Sequence, residues 1–150
     1  MSLKVRPLLL AALGALLIST VLFAQAPGKH PAYLHALSDL RMARAYLTSQ
    51  PGSPAATNDA QMAVQQIDKA IEELKKAAID DGKNLNDHPP VDSHLERTGR
   101  YHKALELLDT AHADVSREED TPNLHGLQAR IMEHIDAAHR YVDHAIAHNQ

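Results

Sequence analysis

Two residue pairs in the C-terminal third of the chain have the spacing that metal chemistry on a helix requires. Asp109 with His112 and Asp136 with His139 both read D-x-x-H, and residues three apart lie on one helical face, where a carboxylate and an imidazole can turn toward a common point. If the two segments are neighbouring helices, Asp109, His112, Asp136 and His139 form one candidate set of ligands for zinc, copper or nickel. Bundles that hold paired metals use the longer Glu-x-x-His, and the shorter reach of Asp works against an inward-facing site. The phase is also that of a boundary. His112 follows the apolar position Ala111, and His139 lies on the side of Ile135, Val142 and Ile146. Further pairs at helical spacing, His139 with Asp143 and His144 with His148, extend the possibilities along the last segment.

Histidine is abundant, with 11 residues, all beyond position 29 and five of them between His125 and His148. Imidazole titrates near neutrality, so a response to pH is a second reading beside metal binding, with solvated surface histidine as the plain alternative. Asp68 and Asp136 each follow an isoleucine, Ile67 and Ile135. They are expected to form structural ion pairs, Asp68 with Arg41 or Arg44 and Asp136 with a base on the third helix. The stretch Asp80 to Asp92 is rich in oxygen donors, but Gly82 comes two positions after Asp80 and no Glu closes the loop, so the EF-hand pattern fails. It reads as a hydrated connection and a place for a partner contact. Ser, His and Asp are present without a nucleophile elbow, a phosphate-cradling glycine loop or H-E-x-x-H, so no enzyme is read here and no resident cofactor.

The elements that must position these groups are helices. Four segments carry apolar residues at helical spacing and none alternates as a half-buried strand does. The first starts at Pro31, suited to a first helical position, with the stripe Tyr33, Leu37, Leu40, Ala43 and Leu47, and is ended by Pro51, Gly52 and Pro54. The second carries Met62, Ile67, Ala70, Leu74 and Ala78, with Glu72 and Lys76 paired on its exposed face and Gly82 closing its last turn. The third carries Tyr101, Leu105, Leu108, Ala111 and Val115. The fourth is expected from Thr121 and Pro122 through Leu127, Ile131, Ile135, Ala138, Val142 and Ala145.

Residues 33 to 79 laid on residues 101 to 147 without a gap match at Tyr33 and Tyr101, Ala36 and Ala104, Leu37 and Leu105, Leu40 and Leu108, Ile67 and Ile135, and Asp68 and Asp136. Two helical hairpins, about 31–81 and 99–148 and joined by a loop at 82–92, are the expected products of a duplication. Neither hides its stripe alone, so the fold class is all-α, an antiparallel four-helix bundle built from two duplicated αα-hairpins. Frequent Ala on the stripes implies a thin core that self-association would help.

The N-terminus reads as a secretory signal peptide over residues 1–26: Lys4 and Arg6, the apolar run Leu8 to Phe23, then Ala24, Gln25 and Ala26. An uncleaved anchor is the alternative, because Pro27 sits just after the cut. A single helical-bundle domain at 27–150 remains, with 13 basic residues against 19 acidic ones. That balance speaks against a nucleic-acid partner, and a chain with no Cys has no thiolate sites or disulfides. The expectation is a non-enzymatic exported helical bundle, periplasmic or secreted, acting through protein contacts or self-association as a scaffold or stress factor. The alternative is a histidine-based periplasmic metal-binding or metal-buffering protein, and membrane contact arises only if the N-terminal segment stays in place.

Overall fold

A computed structural model describes residues 30–48, 56–76, 79, 81–118 and 126–148. The signal-peptide reading, and with it the turn residues Pro51, Gly52, Pro54, Thr121 and Pro122, lies outside the described residues. Within them the chain is all-helical: α1 spans Pro31–Leu47, α2 Asn58–Lys76, α3 Arg97–Arg117 and α4 Leu127–Ala147, with no strand.

Local chemistry sets the ends. His30 takes a left-handed backbone, φ 66°, and Pro31 follows at the first helical position, where its missing N–H costs nothing. Thr48 closes α1 in an extended conformation, its N–H bonded to the Arg44 carbonyl and its hydroxyl to that of Ala45 at 3.1 Å. The fourth helix starts at Leu127 directly after Gly126, which turns left-handed at φ 71°, a conformation no helix runs through. Likewise α2 stops at Lys76, six residues before Gly82. Gly82 does take a positive φ, 73°, but it serves the turn in which the Lys83 N–H bonds the Asp81 carboxylate at 3.2 Å. Lys76 pairs with Glu73 at 3.3 Å rather than with Glu72, since Glu73 also meets Arg130 of α4 at 2.8 Å and Glu72 faces solvent.

The main packing runs between the halves of the chain: α1 lies chiefly against α3 and α2 against α4, with lesser seams joining α3 to α4 and α1 to α2. The stripes read from the sequence form one core, in which Tyr33, Leu37, Leu40, Ile67, Leu74, Leu108, Ile131 and Val142 are sealed from solvent. Leu105 and Met62, assigned to the same stripes, are only partly buried. Ala36, Ala43, Ala63, Ala70, Ala104, Ala111 and Ala138 fill the places where helices approach, fully buried with one methyl each. Such residues allow close helix contact but remove less apolar area from water than Leu or Ile, each of which contributes about 1.5–3 kcal/mol.

Into this core the sequence puts a charge. Arg41, four residues after Leu37 and so on the buried stripe, is 0% exposed. Its guanidinium grips Asp81 with both terminal nitrogens, at 2.7 and 2.6 Å, and reaches the Lys83 carbonyl at 3.4 Å. The same helix pins the rest of the connection, because Arg44 reaches Asn86 at 3.4 Å and the Tyr46 hydroxyl accepts the Asp92 N–H at 3.3 Å. Burial works to raise the Asp81 carboxyl, but the bonds from Arg41 and the Lys83 N–H outweigh it and hold the group below its ordinary value.

Removing one partner of a buried pair strands the other's charge, a cost of about 3–5 kcal/mol, whereas an accessible pair is worth about 0–1 kcal/mol. Arg41→Ala is therefore expected to lower the denaturant midpoint severely and Arg44→Ala only slightly. Equal losses from the two would show that Arg41 is not a structural anchor.

Candidate functional site

Helices α3 and α4 bring all four D-x-x-H residues to one place. Asp109, His112, Asp136 and His139 line a surface groove of about 250 Å³ with the buried Leu108 and Ile135 beneath. They meet crosswise, His112 Nε2 lying 3.5 Å from Asp136 and His139 Nε2 lying 3.3 Å from Asp109. The other ring nitrogen of His139 faces Asp143 at 3.0 Å. The result is two facing pairs, and among the described residues no three His, Asp or Glu groups close on a point that could hold a metal ion. With 34–37% of each imidazole and 53–71% of the paired Asp136 and Asp109 side chains exposed, each contact lies in high dielectric and is worth about 0–1 kcal/mol.

The first half of the chain shows what one of these pairs resembles. Arg44 Nε donates to Asp68 at 2.8 Å across α1 and α2. Moving 68 positions along the sequence carries Arg44 to His112 and Asp68 to Asp136. The expected ion pairs form, then, and the His112 contact stands where the first hairpin has a plain arginine salt bridge. Chemically it can hold two helices together and exchange a proton.

Other histidines do similar work at seams that spacing alone did not reveal. His30 meets Glu118 at 3.4 Å between the start of α1 and the end of α3, and Glu118 also accepts the Ala32 N–H at 3.0 Å. His134 contacts Gln66 at 3.0 Å, and His144 contacts Asp59 at 2.8 Å, both between α4 and α2. That second seam carries a larger groove, about 400 Å³, lined by Asp59, Gln66, Ala137, Arg140, Tyr141 and His144. The connection offers a third hollow, about 390 Å³, between Lys83, Asp87, His88 and Pro89.

Between α1 and α3 the fold places two carboxylates whose relation no single-helix pattern announces. Asp114 is 7% exposed and bonded to Arg117 at 2.8 Å. Asp39 is half-buried, and its carboxyl is raised above its ordinary value by burial first and then by the negative charge of Asp114, with His35 working the other way.

No protein-family model, characterised protein or solved structure matches this chain. What fold and site define, among the described residues, is a set of four helices packed on one another, whose imidazole and carboxylate groups join helix to helix. No described helix is long and apolar enough to cross a membrane.

A raised acid contributes stability that is complete below its unfolded value and lost as pH climbs through its folded one, so at neutral pH Asp39 is a penalty. Asp39→Asn should raise the denaturant midpoint at pH 7 and narrow the difference between pH 7 and pH 4.5. An equal or lower midpoint at pH 7 would contradict this account of the α1–α3 seam.

Proposed function

We propose that this is a non-enzymatic exported helical bundle that acts through protein contacts, periplasmic or secreted, built as two antiparallel hairpins from a duplicated ancestor. The observation that carries the reading is the repetition of the Arg44–Asp68 pair as His112–Asp136, 68 residues on. The side chains best suited to chemistry thereby occupy the position of an architectural ion pair. Burial follows the same shift: Tyr33 and Tyr101, Leu40 and Leu108, Ile67 and Ile135, and Leu74 and Val142 are buried at matching positions.

The end contacts support antiparallel neighbours. His30 before α1 meets Glu118 just past α3, and Asp59 at the start of α2 meets His144 at the end of α4. Export rests on Lys4, Arg6, the apolar run to Phe23 and the small residues Ala24 and Ala26.

For the contact surface, the groove between α2 and α4 has the most suitable chemistry. It combines the partly exposed Tyr141 with the exposed Arg140, two side-chain types that dominate binding energy at protein interfaces. Sedimentation velocity from pH 5 to 8, with pull-down from envelope extract, tests the proposal. Self-association or partner capture is expected, weakened about 30-fold by Tyr141→Ala, the equivalent of a ~2 kcal/mol hot spot. A strict monomer that captures nothing Tyr141→Ala abolishes would refute it.

A further inference from the structure

The end of α4 carries a second arrangement of imidazoles. His144 and His148 stand four residues apart, and their rings are in tilted contact with centroids 3.9 Å apart and planes inclined by 30°. Each ring is held by the nitrogen nearer the backbone. His144 Nδ1 contacts Asp59 of α2 at 2.8 Å, and His148 Nδ1 contacts the His144 carbonyl at 2.8 Å. An ionised carboxylate and a carbonyl only accept, so both Nδ1 atoms must carry the hydrogen. In the neutral ring the lone pair of each histidine then sits on Nε2.

We propose that His144 and His148 chelate one divalent transition-metal ion of the copper, nickel or zinc class through their two Nε2 atoms, with water completing the coordination. A bound imidazole typically donates its other N–H to a carboxylate or a backbone carbonyl, which fixes tautomer and ring orientation. Both second-shell partners are already in place here. Two nitrogens at ~2.0–2.1 Å from one ion lie about 3–3.5 Å from each other, and with ring centroids 3.9 Å apart a modest opening of the two ring planes brings both in-plane lone pairs to one ion.

The groove between α3 and α4 lacks these properties. His139 has both nitrogens against carboxylates, Asp109 and Asp143, and His112 turns Nε2 to Asp136, so an ion there must first break those contacts. The two exposed rings at the end of α4 need break no carboxylate contact at Nε2 and have only to open their mutual ring contact. Two protein ligands also satisfy the absence of any three-residue ligand cluster among the described residues. Copper should bind most tightly, by the ordinary ordering of first-row divalent ions. Through Asp59 the ion would couple the end of α4 to the start of α2. The pair shares Asp59 and His144 with the groove proposed for protein contacts, but metal binding is read on the isolated chain and does not involve Tyr141, so the two readings fail separately.

The test is calorimetric titration of the full chain with Cu²⁺, Ni²⁺ and Zn²⁺ alone, alongside His148→Ala, Asp59→Asn and the double variant His112→Ala with His139→Ala. Both rings of the pair are exposed, so helical circular dichroism should not change in His148→Ala. One equivalent of metal is expected, with affinity falling at least tenfold in His148→Ala and about tenfold in Asp59→Asn. The double variant should stay within twofold of the parent. Substoichiometric Cu²⁺ should broaden the ring resonances of His144 and His148 before those of the other histidines. Parent-like affinity in His148→Ala overturns the proposal, as does loss of binding in the double variant.

Discussion

The guanidinium of Arg41 lies wholly inside a core made of Leu, Ile, Tyr and Ala, and much of the remaining structure answers to that charge. An unpaired cation in such surroundings would cost several kcal/mol, so the chain must deliver an anion to it. Asp81 comes from the segment between α2 and α3, outside both helices. The route of that segment is therefore fixed by where Arg41 needs its partner, and Lys83 contributes a carbonyl to the same group. The arrangement is incomplete, since the Arg41 Nε stays buried without a hydrogen bond. A buried pair of this kind does less for net stability than a well-packed apolar residue would. Its contribution is to allow only one course for the connection, with Arg44 and Tyr46 adding weaker attachments on the same helix.

The core around that anchor mixes Leu, Ile, Val and Tyr with many alanines. Alanine at the helix contacts brings backbones together without removing much apolar area from water. Each seam is supplemented at its edge by polar contacts: His30 with Glu118 for α1 and α3, His144 with Asp59 and Arg130 with Glu73 for α2 and α4, and the crossed Asp–His pairs for α3 and α4. Individually these contribute little at accessible positions. They act on register. An imidazole that must meet one particular carboxylate on a facing helix penalises a slip of one turn, which small apolar side chains alone would tolerate.

Much of this was legible in the sequence because it depends on one helix at a time. Periodicity of 3.6 residues placed Tyr33, Leu40, Ile67, Leu108, Ile131 and Val142 in the core, and Pro31 marked a helix start. The spacing of Asp109 with His112 and of Asp136 with His139 put each pair on one helical face, and the four line one groove. That the pairs meet crosswise was not legible, since it depends on how far α3 is offset along α4. The Asp39–Asp114 relation has the same origin, two residues 75 positions apart that only helix packing makes neighbours. The left-handed Gly126 directly before Leu127 was not legible, since periodicity does not report the backbone conformation at a helix start.

The histidines show most clearly why composition is a weaker guide than geometry. Eleven imidazoles in one chain invite a single explanation, yet the described ones divide by the nitrogen their neighbours leave open. At His139 two carboxylates take both nitrogens, which makes the ring a bridge within the bundle. At His112 the outer nitrogen, Nε2, faces Asp136, as a salt-bridging side chain would. At His144 and His148 the inner nitrogens are tied down, and the outer ones carry the lone pairs at the end of α4. Spacing of three or four residues occurs in all these cases and separates none of them. The separation comes from a carboxylate on another helix, Asp136 for His112, Asp109 for His139 and Asp59 for His144, so the chemistry of each imidazole is settled by tertiary register.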